Sequence, residues 1–238
     1  MNSFFEKTFY TCKRSLSQQS PHGKLFLSLV ILLIIYPFCL STEGGERFII
    51  LISSVTVLTG SAAVARHKNL FRFTLASGFV VIIMVLLQLF FGETFRNPTF
   101  IEFLGLMAMI SFWSFNTMTI LSDVMKAGPV TEDRIMGAIS VYLLMGMNFF
   151  LLYVTAYSVN PESFLITTDT RTALLQDLFF FSFITQTSVG YGNIVPTSAL
   201  TQSISILQAI VGIFYVAIII ARLVGARLAI DVTRDFPE

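Results

Sequence analysis

Charged residues are scarce in this chain of 238 residues: Asp, Glu, Lys and Arg make up 12% of it, about half of what is usual in soluble domains. Hydrophobic residues make up 55%, including 25 Phe, and the mean hydropathy is +0.78. A soluble globule of this size cannot bury so much apolar surface, and no charge-rich stretch is long enough to form a large soluble domain. The composition therefore predicts a membrane protein.

Cysteine and histidine are equally scarce, with two of each: Cys12, Cys39, His22 and His67. Their wide separation argues against a disulfide framework, a zinc site or a thiol catalyst, and we expect the histidines to be ordinary surface residues. The net charge of +1 argues against nucleic-acid binding. No Ser-His-Asp, HExxH or paired-carboxylate constellation suggests an enzyme.

Runs without Asp, Glu, Lys or Arg set the expected topology, because a spanning helix needs roughly 20 apolar residues. Five runs have the length of one helix, whereas the sixth, 178–221, is too long for one crossing and contains Gly190, Gly192 and Pro196. We expect the sixth run to form a re-entrant helix, a loop and a final spanning helix. Non-helical backbone at membrane depth must be buried in protein or line a water-filled path, which points to a pore. The other runs are 25–42, 48–65, 73–92, 103–122 and 135–161.

The fold class predicted is thus an all-α membrane protein with six transmembrane helices and a re-entrant loop between the fifth and the sixth. The first run lacks a clear cleavage site and reads as a retained helix. Of the 15 Lys and Arg, only Arg47, Arg96 and Arg171 fall in loops on one side. The other side is therefore predicted to be cytoplasmic, with both termini there and the re-entrant loop entering from outside.

The segment 177–196 carries the expected chemistry. Residues 174–186 read as a short helix, with Thr172 as a possible cap, and the negative end of its dipole favours a cation. Stacked rings of backbone carbonyls can replace the water around a bare cation if successive carbonyls face one axis. This requires some residues at positive φ, which Gly190 and Gly192 permit without a Cβ clash.

Other side chains in this segment have expected places. The Ser188 hydroxyl adds an oxygen at the inner mouth, while Val189 and Tyr191 point away from the axis. The competing interpretation is a simple Gly-containing turn between two hydrophobic helices. We favour the carbonyl rings because the string follows a short apolar helix within a 44-residue uncharged run.

These residues resemble those of potassium channels, which carry T-x-T-T-V-G-Y-G-D at this position. The resemblance covers roughly 130–230: 134–146 and 212–225 are similar to the outer and inner helices of prokaryotic two-helix pore modules. The first four helices match six-helix channels only in number. The corresponding string here is Thr185-Gln186-Thr187-Ser188-Val189-Gly190-Tyr191-Gly192-Asn193, with Pro196 three residues later.

The resemblance implies a potassium-selective channel whose filter is 187–192, with K⁺ bound by the carbonyls of Ser188, Val189, Gly190 and Tyr191 and by the Ser188 hydroxyl. It implies a homotetramer, and a single strand of carbonyls indeed cannot surround an ion. The expected partners are K⁺, three further copies and membrane lipids, with no cofactor. The expected location is the cell membrane, namely a bacterial inner membrane. The alternatives are a weakly selective cation channel and a transporter subunit or sensor that uses the pore module.

The chain departs from the family pattern at three places. Ser188 replaces Thr, and Asn193 replaces Asp at the outer mouth. Phe180 and Phe181 stand where many relatives have Trp, so the Tyr191 hydroxyl needs another partner. With Asp177, these two Phe are the expected pore-helix support. The departures leave filter stability and slow inactivation open.

In the predicted inner helix, 200–225, Gly212 lies where the family places a hinge glycine, and either bending or close packing explains it. Ala217 and Ala221, followed by Gly225, form a small-residue stripe. They either let four helices converge as a gate, together with Gly212, or make an ordinary helix contact.

A voltage sensor needs several Lys or Arg along the fourth helix. No Lys or Arg occurs between Arg96 and Lys126, which bracket the predicted fourth helix, so we expect no arginine-based voltage sensor. Polar side chains in the helices fit interhelical hydrogen bonds better than a ligand site. They are Gln88, Trp113, Asn116 and Asn148.

The predicted organisation runs from a cytoplasmic segment, 1–24, through a four-helix domain, 25–122, to a linker, 123–134. The pore domain, 135–230, and a short cytoplasmic tail, 231–238, follow, and we expect no appended ligand-binding domain. The N-terminal segment is either an amphipathic helix on the membrane surface or a frayed tail. The linker contains the helix-breaking Gly128-Pro129 and the expected cap Thr131, and it either transmits a signal or only connects. The gating stimulus is left open.

Overall fold

The computed structural model describes residues 21–40, 98–126, 131–166 and 171–235, together with residues 78, 79 and 83. The predicted second and third helices, 48–65 and 73–92, fall almost entirely outside these residues. So do the first 20 residues and the Gly128-Pro129 break. The described helices are α1 (Pro21–Leu40), α2 (Pro98–Val124), α3 (Glu132–Val159), α4 (Arg171–Gln186) and α5 (Ala199–Asp235).

Two short strands accompany the helices. A 3-10 turn, Pro161–Ser163, leads into β1 (Phe164–Leu165), which pairs antiparallel with β2 (Val195–Pro196). Phe164 lies opposite Pro196, and Leu165 lies opposite Val195. The expected all-α class is therefore correct for the described residues apart from these two-residue strands, which the sequence pattern did not predict.

Three of the described helices are long and apolar enough to cross a membrane: Phe103–Val124, Glu132–Val159 and Ala199–Arg222. Two shorter apolar helices, His22–Tyr36 and Ala173–Gln186, accompany them. The prediction of a helical membrane protein with a short helix before the last span agrees with this arrangement. The count of six spans stays a prediction.

The described residues within 1–125 and 131–143 belong to one compact unit. Within it, α1 buries a single stripe at helical spacing, comprising Leu25, Leu29, Leu32 and Tyr36. From α2, buried Phe112, Trp113, Ile120 and Val124 add to this core. Among the polar side chains of α2, Asn116 Nδ2 donates to the Phe112 carbonyl 2.8 Å away, so this amide serves its own helix instead of a neighbouring one.

His22 is buried at the start of α1, with 3% of its surface exposed, so the expectation of an ordinary surface histidine is wrong. Its Nε2 lies 3.2 Å from Asp123 Oδ2 at the end of α2, and its backbone N–H donates to Asp133 Oδ1 at the start of α3, 3.2 Å away. The two carboxylates come from the predicted linker, which explains the burial, since a polar ring needs such partners. We call His22, Asp123 and Asp133 the three-helix joint.

The described residues within 126–130 and 144–238 belong to the second compact unit. Its core is largely aromatic and aliphatic. Tyr153 of α3, Phe164 of β1 and Phe181 of α4 meet edge to face, with ring centroids 5.0 to 5.6 Å apart. Such pairs contribute about 0.5–1.5 kcal/mol each beyond their buried area. This aromatic cluster fixes α4 against α3 and the outer loop.

Local sequence explains where the helices begin. Thr131 Oγ1 accepts from the Arg134 N–H, 3.3 Å away, and Glu132 and Asp133 occupy the first turn of α3, as predicted. Ser198 caps α5, since its Oγ accepts from the Thr201 N–H at 3.2 Å. The proposed cap at Thr172 is wrong, because α4 already begins at Arg171.

The last helix also ends later than predicted. α5 continues to Asp235, ten residues past the predicted end at Gly225 and into the predicted tail, 231–238. The added stretch contains no Gly or Pro until Pro237, so the chain meets no residue that stops a helix.

Candidate functional site

The candidate site begins where α4 ends, because the next amides turn back toward the helix. The Ser188 N–H donates to the Thr185 carbonyl at 3.0 Å. The N–H groups of Val189 and Gly190 donate to the Ile184 carbonyl at 2.9 and 3.3 Å. The last carbonyls of α4 are thereby satisfied by the segment that follows, as helix ends require.

These hydrogen bonds determine where the carbonyls of the segment point. In a trans peptide the C=O of one residue and the N–H of the next point in opposite directions. Because the amides of 188, 189 and 190 face the end of α4, the carbonyls of Thr187, Ser188 and Val189 face away from it. Three successive carbonyls are thus turned to the same side, as carbonyls that line an ion path must be. We call residues 187–192, which are separate from β1 and β2, the strand.

Backbone dihedral angles alternate along this strand. Gly190 and Gly192 have φ of +55° and +80°, which agrees with the sequence expectation. Ser188 also has positive φ, +59°, although it carries a Cβ. The sequence analysis missed this residue because it assigned positive φ only to glycine. A left-handed conformation costs a residue with a Cβ roughly 1–2 kcal/mol, so the surrounding hydrogen bonds must offset it.

The side chains of the strand are exposed in the single chain. Val189 is 54% exposed and Tyr191 is 72% exposed. The Tyr191 ring stacks on Phe180, with centroids 5.9 Å apart and planes at 10°. The two Phe that replace Trp therefore differ: Phe180 lies beside the strand, whereas Phe181 is buried in the aromatic cluster. Asp177 is partly exposed, four residues before Phe181.

The outer end of the strand is fixed to the loop before α4. Ile194 is buried, and β2 pairs with β1 directly after it. The Ser163 carbonyl accepts from the Thr197 N–H and from Thr201 Oγ1, both at 2.9 Å. Asn193 is exposed between these contacts and the strand. The segment 187–193 carries no charged side chain, so its electrostatics depend on backbone dipoles.

Gly212 of α5 lies directly against the end of α4. A Cβ at this position would overlap the Gln186 carbonyl oxygen and lie 3.1 Å from Gln186 Cγ. Of the two interpretations of Gly212, close packing therefore has a direct structural basis. The hinge stays a prediction.

The other residues of the predicted gate lie in the C-terminal half of α5. Ala217 and Ala221 are exposed, and a Cβ at Gly225 would meet nothing within 4 Å. The small-residue stripe is therefore not used for packing among the described residues of this chain. Near it, the Arg222 guanidinium donates to the Lys126 carbonyl, which ties the inner helix to the linker.

Sequence reasoning also missed a buried polar network beside the strand. Its members are Tyr153 of α3, Ser182 and Gln186 of α4, and Gln208 of α5. The amide of Asn148, which the sequence analysis did single out, donates to the Leu144 carbonyl of its own helix at 2.8 Å. A single polar residue in an apolar run gives no signal of its partner, so the sequence did not single out Gln208.

The region around the candidate site is similar in sequence to known proteins. Residues 137–226 match the sequence model of a family described as ion channel. The matched residues, 137–226, are therefore similar to an ion-channel domain. The domain covers α4, the strand that follows it, most of α3 and the greater part of α5. This similarity favours a membrane channel over an enzyme.

Two curated proteins are similar to the chain. Two-pore potassium channel 4 of Arabidopsis thaliana is 32% identical over 93 residues, which is 37% of this chain and 32% of that protein. Protein LctB of Bacillus caldotenax is 29% identical over 126 residues, 51% of this chain and 92% of that protein. The match thus spans about a third of the plant protein's length and nearly all of the bacterial one. No solved structure matches the chain significantly.

Proposed function

We propose that the protein is a potassium-selective channel that conducts K⁺ passively across the cell membrane. The observation that carries the proposal lies in the strand 187–192, where the amides of 188–190 face the end of α4 and the carbonyls of Thr187, Ser188 and Val189 face away from it. Positive φ at Ser188, Gly190 and Gly192 supports this arrangement. The name of the Arabidopsis relative and the Thr-Ser-Val-Gly-Tyr-Gly string both favour K⁺ as the permeant ion.

In this proposal the strand is the selectivity filter. The carbonyls of Ser188, Val189, Gly190 and Tyr191 bind K⁺ in rings, and the Ser188 hydroxyl adds an oxygen at the inner end. Such oxygens replace the hydration shell of the ion. The ring of Tyr191 and the side chain of Val189 set the spacing from outside the rings.

A ring of carbonyls needs several chains, and we propose a homotetramer. The exposure of Val189 and Tyr191 supports this, because three further copies would cover side chains that a monomer leaves open. The α5 span supports it as well. Within one chain, only 11% of the most apolar 18-residue stretch of α5 is buried, against 50% of the corresponding stretch of α3. Lipid and neighbouring copies would cover the rest. Both termini are proposed to be cytoplasmic, as the distribution of Lys and Arg favours.

The decisive experiment measures ion flux through the purified protein in lipid vesicles. We expect uptake of ⁸⁶Rb⁺ that external K⁺ blocks by competition and that equal concentrations of Na⁺ leave unchanged, with protein-free vesicles as the control. Cross-linking of the same sample is expected to stop at a tetramer. Equal permeability to Na⁺ and K⁺ would leave a weakly selective cation channel, and transport by a stable monomer would leave a transporter.

A further inference from the structure

We propose that Gln208 is a positioning residue for the filter: it fixes the last turn of α4, from which the filter strand starts. This inference rests on the proposed channel function. Gln208 is completely buried on α5, and each partner named below is 0 or 1% exposed. The polar network of Gln208, Ser182, Gln186 and Tyr153 joins α3, α4 and α5 within the second compact unit.

The contacts of Gln208 fix the orientation of its amide. Nε2 lies 2.9 Å from the Ser182 carbonyl, 2.9 Å from Ser182 Oγ and 3.3 Å from Gln186 Oε1. A backbone carbonyl only accepts, so the NH₂ group must face α4. The amide oxygen then faces α3, where it accepts from the Tyr153 hydroxyl at 2.6 Å. Gln208 is therefore a bridge between α3 and the end of α4.

Further bonds close the network. Ser182 Oγ donates to the Gly146 carbonyl of α3 at 2.8 Å, which leaves the serine oxygen to accept from Gln208. The Tyr153 hydroxyl also lies 3.3 Å from Ser205 Oγ. Fully satisfied buried networks give a unique arrangement, whereas a network with one missing partner leaves polar groups that cannot reach water.

The network lies immediately beside the first residues of the filter. Gln186 is the last residue of α4, and its carbonyl oxygen is the atom that Gly212 of α5 approaches too closely for a Cβ. Within the same turn, the Ile184 and Thr185 carbonyls accept from the filter amides. A displacement of this turn would move the acceptors that turn the filter carbonyls to one side, so Gln208 controls filter geometry without lining the pore.

The test replaces Gln208 by Met, which has a similar shape but cannot form the bonds, in the full-length protein in lipid vesicles. The matched control is Gln202→Met, the same change at an exposed position of α5, where the amide makes only an exposed 3.3 Å bond to the Pro196 carbonyl. A second pair is Tyr153→Phe with Tyr157→Phe, one turn along α3. The measurements are amide hydrogen exchange of peptides covering 178–190, ⁸⁶Rb⁺ uptake and cross-linked oligomer.

We expect Gln208→Met to speed exchange in 178–190 about tenfold, as the loss of one well-formed buried hydrogen bond would. Rubidium uptake should fall with the oligomer retained, and Gln202→Met should resemble wild type. The double variant Gln208→Met with Tyr153→Phe should be less impaired than the two single effects combined, because it removes a buried hydroxyl that Gln208→Met leaves with only its longer contact to Ser205. A role in bulk packing alone would not produce this rescue.

Unchanged exchange of 178–190 in Gln208→Met would overturn the proposal whether or not the wild type conducts. If this variant does not assemble, Tyr153→Phe decides, and exchange equal to that of Tyr157→Phe overturns it. Altered exchange in a wild-type background that takes up no Rb⁺ would overturn the channel function and, with it, the filter role of Gln208. The two failures are thereby distinguishable.

Discussion

Gly190 combines a backbone φ of +55° with open space around the position of a Cβ. We predict that Gly190→Ala abolishes K⁺-selective uptake of ⁸⁶Rb⁺ while the oligomer still assembles. Space is not the reason, because an added methyl meets nothing within 4 Å. The reason is conformational, since a left-handed backbone costs alanine about 1–2 kcal/mol. The strand would relax and turn a carbonyl out of line.

The matched control is Gly225→Ala, which adds the same methyl, also in open space, to a residue of α5. Because Gly225 lies outside 187–192, selectivity for K⁺ over Na⁺ close to that of the wild type is expected there, even if a role in the gate changes the rate of uptake. Normal selective flux through Gly190→Ala would contradict the role assigned to the Gly190 backbone.

The sign of the stability change in Gly212→Ala distinguishes a hinge from close packing at this position. If Gly212 served only to let α5 bend, Ala would stiffen the helix and stabilise it by about 1 kcal/mol. The overlap of its Cβ with the Gln186 carbonyl instead predicts a lower melting temperature for Gly212→Ala. Thermal unfolding of the detergent-solubilised protein measures this, with Gly225→Ala expected to melt at or above the wild-type temperature. A more stable Gly212→Ala would refute the packing requirement.

How far sequence predicts single residues depends on whether their partners are local. Positive φ at Gly190 and Gly192 was predictable because it follows from a local requirement and from the absence of a Cβ. Positive φ at Ser188 was not, since bonds to α4 impose it. The burial of His22 was not predictable either, because its carboxylate partners are more than 100 positions away.

At the scale of helices, sequence predicted position well and boundaries less well. The uncharged run 103–122 predicted α2, which the structure extends to Pro98–Val124. The length needed to span a membrane predicts that a helix is present better than it predicts the residues at which the helix begins and ends. The error at the end of α5 was larger, since the stretch 226–235 contains no Gly or Pro that would stop the helix. Gln208 was invisible in this reading because its partners lie on α3 and α4.

The three-helix joint yields a prediction at the scale of elements. Asp133→Ala removes the acceptor of the His22 backbone N–H, which is buried where α1 begins. A lost buried acceptor costs about 1–3 kcal/mol. We therefore expect Asp133→Ala to lower the melting temperature of the solubilised protein and to speed amide exchange in peptides from 21–40.

The control for the joint is Glu132→Ala. Glu132 is exposed in the same first turn of α3, so its replacement removes the same favourable interaction with the helix dipole but no contact to His22. Equal effects of the two variants would show that the dipole, and not the joint, explains the change.

At the scale of the whole molecule, the described part of one chain leaves apolar surface that water does not tolerate in such quantity. Residues of α5 that are 42–62% exposed include Ile206, Ile213, Phe214 and Val216. They spread over about half of the helix circumference, opposite buried Gln208, and we expect lipid and neighbouring copies to cover them. The same assembly would bring four filter strands together, which makes ion binding a property of the oligomer.

Ion binding at such a shared site predicts that K⁺ stabilises the assembly. A ligand that binds only the folded state stabilises it by about 2.7 kcal/mol at 100 times its dissociation constant. We expect the cross-linkable oligomer to melt at a higher temperature when K⁺ replaces Na⁺ at constant ionic strength, and the shift to grow with K⁺ concentration. Gly190→Ala should lose the shift, because its carbonyls no longer line one axis, whereas Gly225→Ala should keep it. Equal melting in Na⁺ and K⁺ would argue against a K⁺-binding filter, since general ionic effects act on both salts alike.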